Sequence, residues 1–389
     1  MTNPVHDQQP ATAALALAMM LALAAAAIPS AHAQAYKVLY SFKSGTDGNI
    51  PQAGLVRDPA GNLYGTTSAG GASNSGTVFK LSKTGAETLL HSFAGGVNGD
   101  GALPLAGLVR DSAGNLYGTT YSGGSASNFG TVYKVDSAGV ESVLYTFAGG
   151  TFGANPESVL VRDAAGNLYG TTFNGGAANA GTVFKVDSTG AETVLYSFTG
   201  SPDGANPAAG LIPDASGNFY GTTAFGGASQ RGTVFKVDAT GAETVLYSFA
   251  ADGAFPFAGL IRDAAGNLYG TTSQGGVDNL GTVFKVNSAG AESLLHAFNG
   301  SNNGAYPYAA LIRDGAGNLY GTTERGGLGD GGTVFKLDKT GAETVIHGFG
   351  GAAGRAPLAG LILSPASILY GTTMSGGTSN NGVVFELKP

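Results

Sequence analysis

Residues 159–198 read VLVRDAAGNLYGTTFNGGAANAGTVFKVDSTGAETVLYSF, and the same order of motifs returns along the chain. The tetrapeptide Tyr-Gly-Thr-Thr begins at Tyr64, Tyr117, Tyr169, Tyr220, Tyr269, Tyr320 and Tyr370, in steps of 53, 52, 51, 49, 51 and 50. Close copies of Gly-Thr-Val-Phe-Lys keep the same count, from Gly76 to a degenerate copy at Gly382. Repeats of this length are the signature of a propeller or a solenoid, each unit being too small to bury its own apolar face.

Within the quoted unit, β-branched and aromatic residues cluster at 159–163, 167–172, 181–186 and 192–198, each run bounded by Gly, Asn or Asp. Such runs predict four short strands. Asp163-Ala164-Ala165-Gly166 and Asp187-Ser188-Thr189-Gly190 are tight-turn signals, Asp capping the turn and Gly taking its positive-φ position. No segment after residue 33 sustains a helical period. The ends of the chain decide between propeller and solenoid. The seventh unit stops after its third strand, yet Tyr36-Lys37-Val38-Leu39-Tyr40-Ser41-Phe42 near the start is the missing fourth. A strand supplied from the front closes a ring and removes the edges that a solenoid would have to cap. The expected fold is therefore all-β: a seven-bladed β-propeller of four-stranded antiparallel blades over residues 34–389.

Composition agrees. The chain holds 66 glycines, 12% charged residues, no Cys and no Trp. Without Cys there is no disulfide framework, no thiol nucleophile and no Cys-ligated metal. The 19 basic against 26 acidic residues give a net charge of −7, which disfavours a nucleic-acid partner. An Ala- and Leu-rich stretch at 11–28, followed by Ala31-His32-Ala33, predicts a signal peptide over 1–33 cleaved after Ala33. The first ten residues hold Asp7 and no basic residue, unlike an ordinary leader, so retention as an anchor is the alternative. After cleavage no membrane span remains, and the expected product is a secreted or periplasmic monomer.

The combined signature, Gly-Asn-Leu-Tyr-Gly-Thr-Thr, then Gly-Gly, Gly-Thr-Val-Phe-Lys and Gly-Ala-Glu-Thr-Val-Leu-Tyr-Ser-Phe, resembles the bacterial choice-of-anchor tandem repeat proteins of the GloVer type across about 34–389. That resemblance implies an exported protein tethered by a variable C-terminal anchor, with no established biochemical activity. The sequence ends at Pro389 without such an anchor, so a freely secreted or periplasmic form is expected.

Residues that recur in every unit belong to the blade, whereas a pocket needs unlike groups converging. Asp58, Asp111, Asp163, Asp214, Asp263 and Asp314 read as turn caps. Glu87, Glu141, Glu192, Glu243, Glu292 and Glu343 are expected to pair across a hairpin with strand lysines such as Lys80 and Lys185. His91, His296 and His347 stand where other units have Tyr, at an outer position that keeps them apart, so no metal site is expected from them. Calcium is the one conceivable cofactor, through loops such as Asn98-Gly99-Asp100-Gly101, although one acid falls short of a full oxygen shell.

The variable positions lie in the long loops on one face, where ligand groups are usually carried. Strand two-to-three loops offer Phe129, Phe225, Arg231, Glu324, Arg325, Asp330 and Asp278. Blade connections offer Tyr306, Arg355, Phe255, Phe152, Asp47, Asp100, Asp203 and Asp252, and Glu157 stands at an inner strand where other units have Gln52, Leu105, Ala208 or Phe257. Aromatic faces among Asn, Gln, Asp and Arg suit a glycan or a protein ligand, and the leading expectation is a non-catalytic exported binding module. An alternative is a polysaccharide or glycopeptide lyase or hydrolase using Glu157, Glu324, Asp330 or Asp278. A third is a structural envelope protein with no single site.

Overall fold

Seven four-stranded antiparallel sheets follow one another around a ring, one for each repeat. A computed structural model describes residues 35–96, 99–125, 127–327 and 329–389, so the expected leader, residues 1–33, lies outside the described residues. In blade three the strands are Val161–Arg162, Leu168–Thr172, Thr182–Val186 and Glu192–Ser197, counted outward from the axis. No α-helix is present among the described residues.

The ring closes as the displaced ends require. The strand Ala35–Ser41 is the outermost of the sheet whose other members are Val383–Lys388, Leu369–Thr373 and Ile362–Leu363. Phe42 N donates to Gly382 O at 3.0 Å, and Thr378 N to Ser41 Oγ at 2.8 Å, fastening start to end.

The recurring tetrapeptide is explained residue by residue. Tyr169 donates its hydroxyl to Asp163 Oδ2 at 3.1 Å, while Asp163 also accepts from Asn167 N and Asn167 Nδ2, which caps the first turn. Gly170 leaves room for Phe184, whose Cζ would lie 2.8 Å from a Cβ at that position. Thr171 donates to Ala209 O of the next blade at 3.1 Å, and equivalent bonds run all round the ring, ending with Thr372 to Ala53 O. Thr172 and Thr182 share a buried hydroxyl pair at 2.8 Å that ties strands two and three. Blades are held together by aromatic edges as well: Phe147, closing blade two, meets Phe184 of blade three at 5.1 Å and 74°, and the contact repeats at Phe198–Phe235 and Phe42–Phe79. Such edge-to-face pairs add about 0.5–1.5 kcal/mol each beyond their buried area.

Two expectations need correction. The innermost strand is two residues long rather than the five at 159–163. Before it, at Ser158, the side chain replaces the backbone ladder: Ser158 Oγ donates to Thr171 O at 3.3 Å and accepts from Thr171 N at 3.0 Å, while the Ser158 carbonyl accepts from Thr119 of the preceding blade. The Glu–Lys hairpin pairs also do not form. Lys185 stands opposite Thr193 and Glu192 opposite Val186, so Glu and Lys occupy adjacent rungs and point to opposite faces of the sheet. Lys80, Lys285 and Lys336 instead lie 5.8–5.9 Å from the ring centres of Tyr64, Tyr269 and Tyr320.

Candidate functional site

The residue before each loop-face proline carries a positive φ: Ile50, Leu103, Asn155, Asn206, Phe255, Tyr306 and Ala356. Its backbone hooks the previous blade, as in Phe255 N to Arg231 O at 2.9 Å and Tyr306 N to Leu280 O at 2.8 Å. The hook turns the residue after the proline toward the axis. Residues from all seven blades thus surround one cavity of about 290 Å³ at the channel mouth, among them Gln52, Glu157, Phe257 and Tyr308.

Within that mouth the aromatics are not spread evenly. Phe225, 37% exposed, lies 5.3 Å from Phe255 and 6.0 Å from Phe257, and Phe257 lies 5.7 Å from Tyr308. Blades four, five and six therefore share a continuous aromatic ledge running inward from the loop rim. Glu324 and Arg325 flank it as an ion pair at 3.8 Å, and the Tyr308 hydroxyl is raised by burial first and then by the charge of Glu324. Such a surface, apolar with a few oriented polar groups, is how small ligands are usually held.

Glu157 stands on blade three, facing the same cavity. Burial pushes its carboxyl up to about 7, with no second acid contributing, so it is not one member of a coupled carboxylate pair. A folded pKa above the unfolded value of 4.5 stabilises the fold fully below pH 4.5, and that contribution disappears as pH rises through 7. Glu157→Gln should therefore match the parent at pH 4 and exceed it by at most about 3 kcal/mol at pH 8, measured from denaturant midpoints. Equal stabilities at both pH values would show that burial does not shift this carboxyl.

Other sequence candidates have structural employment. Phe129 is half-buried in the core between blades two and three and covers Gly149, because its loop folds back beneath the connection. Asp330 Oδ1 accepts from Gly326 N at 2.8 Å, as Asn74, Asn179 and Asn279 do in their own loops, so it is blade six's version of a loop-closing Asn. Arg355 donates to Gly329 O at 3.0 Å, bracing the loop of blade six. Arg231 is half-buried on the Phe225 loop, and its carbonyl receives Phe255 N. Of the post-proline aromatics, Phe257 enters the sequence reading only as a contrast to Glu157, and Tyr308 is missed. A column-by-column comparison of the repeats marks their position, which reads Gln, Leu, Glu, Ala, Phe, Tyr and Leu around the ring.

A second recurrent polar arrangement lies farther out, at the blade junctions. Tyr40 and Tyr196, on fourth strands, donate to Asp47 at 2.8 Å and Asp203 at 2.6 Å, and Tyr247 bonds Asp252. These acids brace the blade connections and are not at the mouth. The first glutamate of the next blade's fourth strand faces the same spot: burial raises Glu243 to about 7 and Glu292 to about 6, with Asp203 and Asp252 adding to the shift. At the junction of blades one and two the tyrosine is replaced by His91. Its Nε2 lies 3.4 Å from Asp100 Oδ2, and Glu141 completes a trio whose ligand atoms are all within 4.8 Å of one another. His296 faces Asn303 at 3.3 Å, and His347 stacks on Tyr36 at 4.0 Å. The three histidines stay apart as their spacing predicts, yet one of them meets two acids: Asp100, whose loop the sequence offers for calcium, and Glu141, which it sets aside as a recurring residue.

The family described as the Gloeobacter/Verrucomicrobia repeat matches residues 28–215, 97–261 and 160–385. No curated protein matches the chain. Among solved structures, the extracellular domain of a B. thetaiotaomicron protein described as a one-component system is similar at a TM-score of 0.59 and 14% identity, over 92% of this chain and 42% of that one. A protein described as a 6-phosphogluconolactonase, from Bacteroides uniformis, is similar at a TM-score of 0.51 and 18% identity, over 76% of this chain and 84% of that one. The chain thus spans about two fifths of the first of these, and at such identities the likeness is one of fold.

Proposed function

Because the chain belongs to the Gloeobacter/Verrucomicrobia repeat family, whose copies here build one scaffold with one variable mouth, we propose that it is an exported, non-catalytic propeller that binds a glycan at that mouth. The carrying observation is the ledge of Phe225, Phe255, Phe257 and Tyr308, set beside Glu324 and Arg325. Aromatic faces stack on the apolar faces of sugar rings, and the flanking charges and Gln52 take hydroxyl hydrogen bonds. Export rests on the leader, and no helix among the described residues is long and apolar enough to cross a membrane. A hydrolase reading would require a second carboxylate acting with Glu157, and burial alone accounts for its shift.

The test is titration calorimetry of the purified chain against envelope and matrix oligosaccharides. Phe257→Ala and Tyr308→Ala should each weaken a detected glycan at least tenfold, about 1.4 kcal/mol. Phe152→Ala, 51% exposed on a blade connection, should leave affinity unchanged. Binding that survives both ledge substitutions, or a chain that binds peptides and no glycan, would overturn the assignment.

A further inference from the structure

The seven blade junctions form an internal series in which one member differs in kind. Where the third and fourth blades meet, Tyr196 donates its hydroxyl to Asp203, although Glu243 Oε1 beside them has no partner among the described residues. Between blades one and two, an imidazole replaces that donor. His91 Nε2 and Glu141 Oε1 are both buried, and neither has a hydrogen-bond partner among the described residues; the 3.4 Å approach of His91 to Asp100 lacks hydrogen-bond geometry. Asp100 is fixed by its own connection, its Oδ2 accepting from Ala94 N at 2.8 Å and its Oδ1 from Gly101 N at 2.7 Å, which leaves a lone pair on each oxygen. The equivalent glutamate oxygen is also unpartnered at Glu87, Glu192, Glu243 and Glu343, but among the described residues only at this junction does it meet an unpartnered imidazole nitrogen and a carboxylate, and buried polar atoms so converging call for a common partner.

We infer that His91, Asp100 and Glu141 form a three-ligand site for a divalent transition-metal ion of the zinc type. One imidazole nitrogen and two carboxylate oxygens, with a further position for water, is a donor set that zinc accepts. The imidazole argues against calcium and magnesium, which take oxygen ligands. A tetrahedral ion with bonds of about 2.0–2.2 Å holds its ligands about 3.4 Å apart, which the His91–Asp100 edge already matches. The other junctions lack one member or another: Asn303 replaces the acid opposite His296, and Tyr36 replaces the glutamate opposite His347. On an outer strand, the site is separate from the channel mouth, and an ion there would clamp blade one to blade two.

Chelator-treated chain titrated with zinc should bind one equivalent, and cobalt should bind in competition with it. His91→Tyr installs the residue that the tyrosine junctions carry and Asp100→Asn the residue of the Asn303 junction, so both should fold. Each should weaken zinc binding at least a hundredfold, while His296→Tyr leaves it unchanged. The parent's melting temperature should rise with zinc by several degrees and that of His91→Tyr should not. No stoichiometric zinc binding by the parent, binding retained in both variants, or equal loss in the His296 control would overturn the site. None of these readouts depends on glycan binding.

Discussion

A chain lacking residues 1–43 should fail to hold the closed ring, appearing as an unfolded or self-associating species in light scattering and without the parent's cooperative melt. The deleted segment carries the fourth strand of blade seven. Phe42 is fully buried and lies 5.2 Å from Phe79 of blade one, while Tyr36 stacks on His347 of blade six. One strand therefore touches both neighbouring blades. Truncating a single buried Phe costs about 3–5 kcal/mol, and net stabilities are about 5–15 kcal/mol, so loss of the whole strand consumes most of the margin. It also bares Val383–Lys388, in which Val383, Val384, Phe385 and Leu387 are fully buried, as an open edge able to pair with other chains. A peptide spanning residues 35–43 added in excess should restore the monomer. A truncated chain that stays monomeric and melts within about 5 °C of the parent would refute the closure argument.

The next largest effect is expected inside a blade. Phe184→Ala should cost about 3–5 kcal/mol, because its ring fills the space over Gly170 and meets Phe147 of the neighbouring blade. Gly170→Ala should cost about 1–3 kcal/mol for the opposite reason, since a new methyl would sit 2.8 Å from Phe184 Cζ and 3.0 Å from Leu160 Cδ2. The two defects partly cancel. Combining Gly170→Ala with Phe184→Leu should cost measurably less than the sum of the single changes in urea melts. Strict additivity would mean that the glycine serves the backbone rather than the ring.

Most of this architecture was legible because its causes are local and repeated. Asp163 and Gly166 announce a turn by their own chemistry, and Tyr36 to Phe42 declares itself a fourth strand by matching the other units. The ledge was harder to read. Phe225, Phe257 and Tyr308 come from three blades, and only the closed ring and the proline hook bring Phe257 to 6.0 Å from Phe225 and 5.7 Å from Tyr308. Asp330 misled in the other direction, since an acid in a variable loop resembles a site residue until Gly326 N is seen to occupy it. Asp100 stood in view as a loop acid, but its partners His91 and Glu141 were concealed by their regularity, each being an ordinary member of a recurring column.

One consequence of the closing strand is topological. Lys37 Nζ lies 3.8 Å from Glu386 Oε1, so the two ends of the ring lie side by side, where the other blades have a tight turn of the form Asp-, Ser- or Asn-x-x-Gly. A short turn joining residue 388 to residue 35 would make blade seven like its siblings, and any of the remaining outer turns could then be cut to furnish new ends. The circle is thus indifferent to where the polypeptide enters it, and the order of blades matters more to the molecule than which of them is translated first.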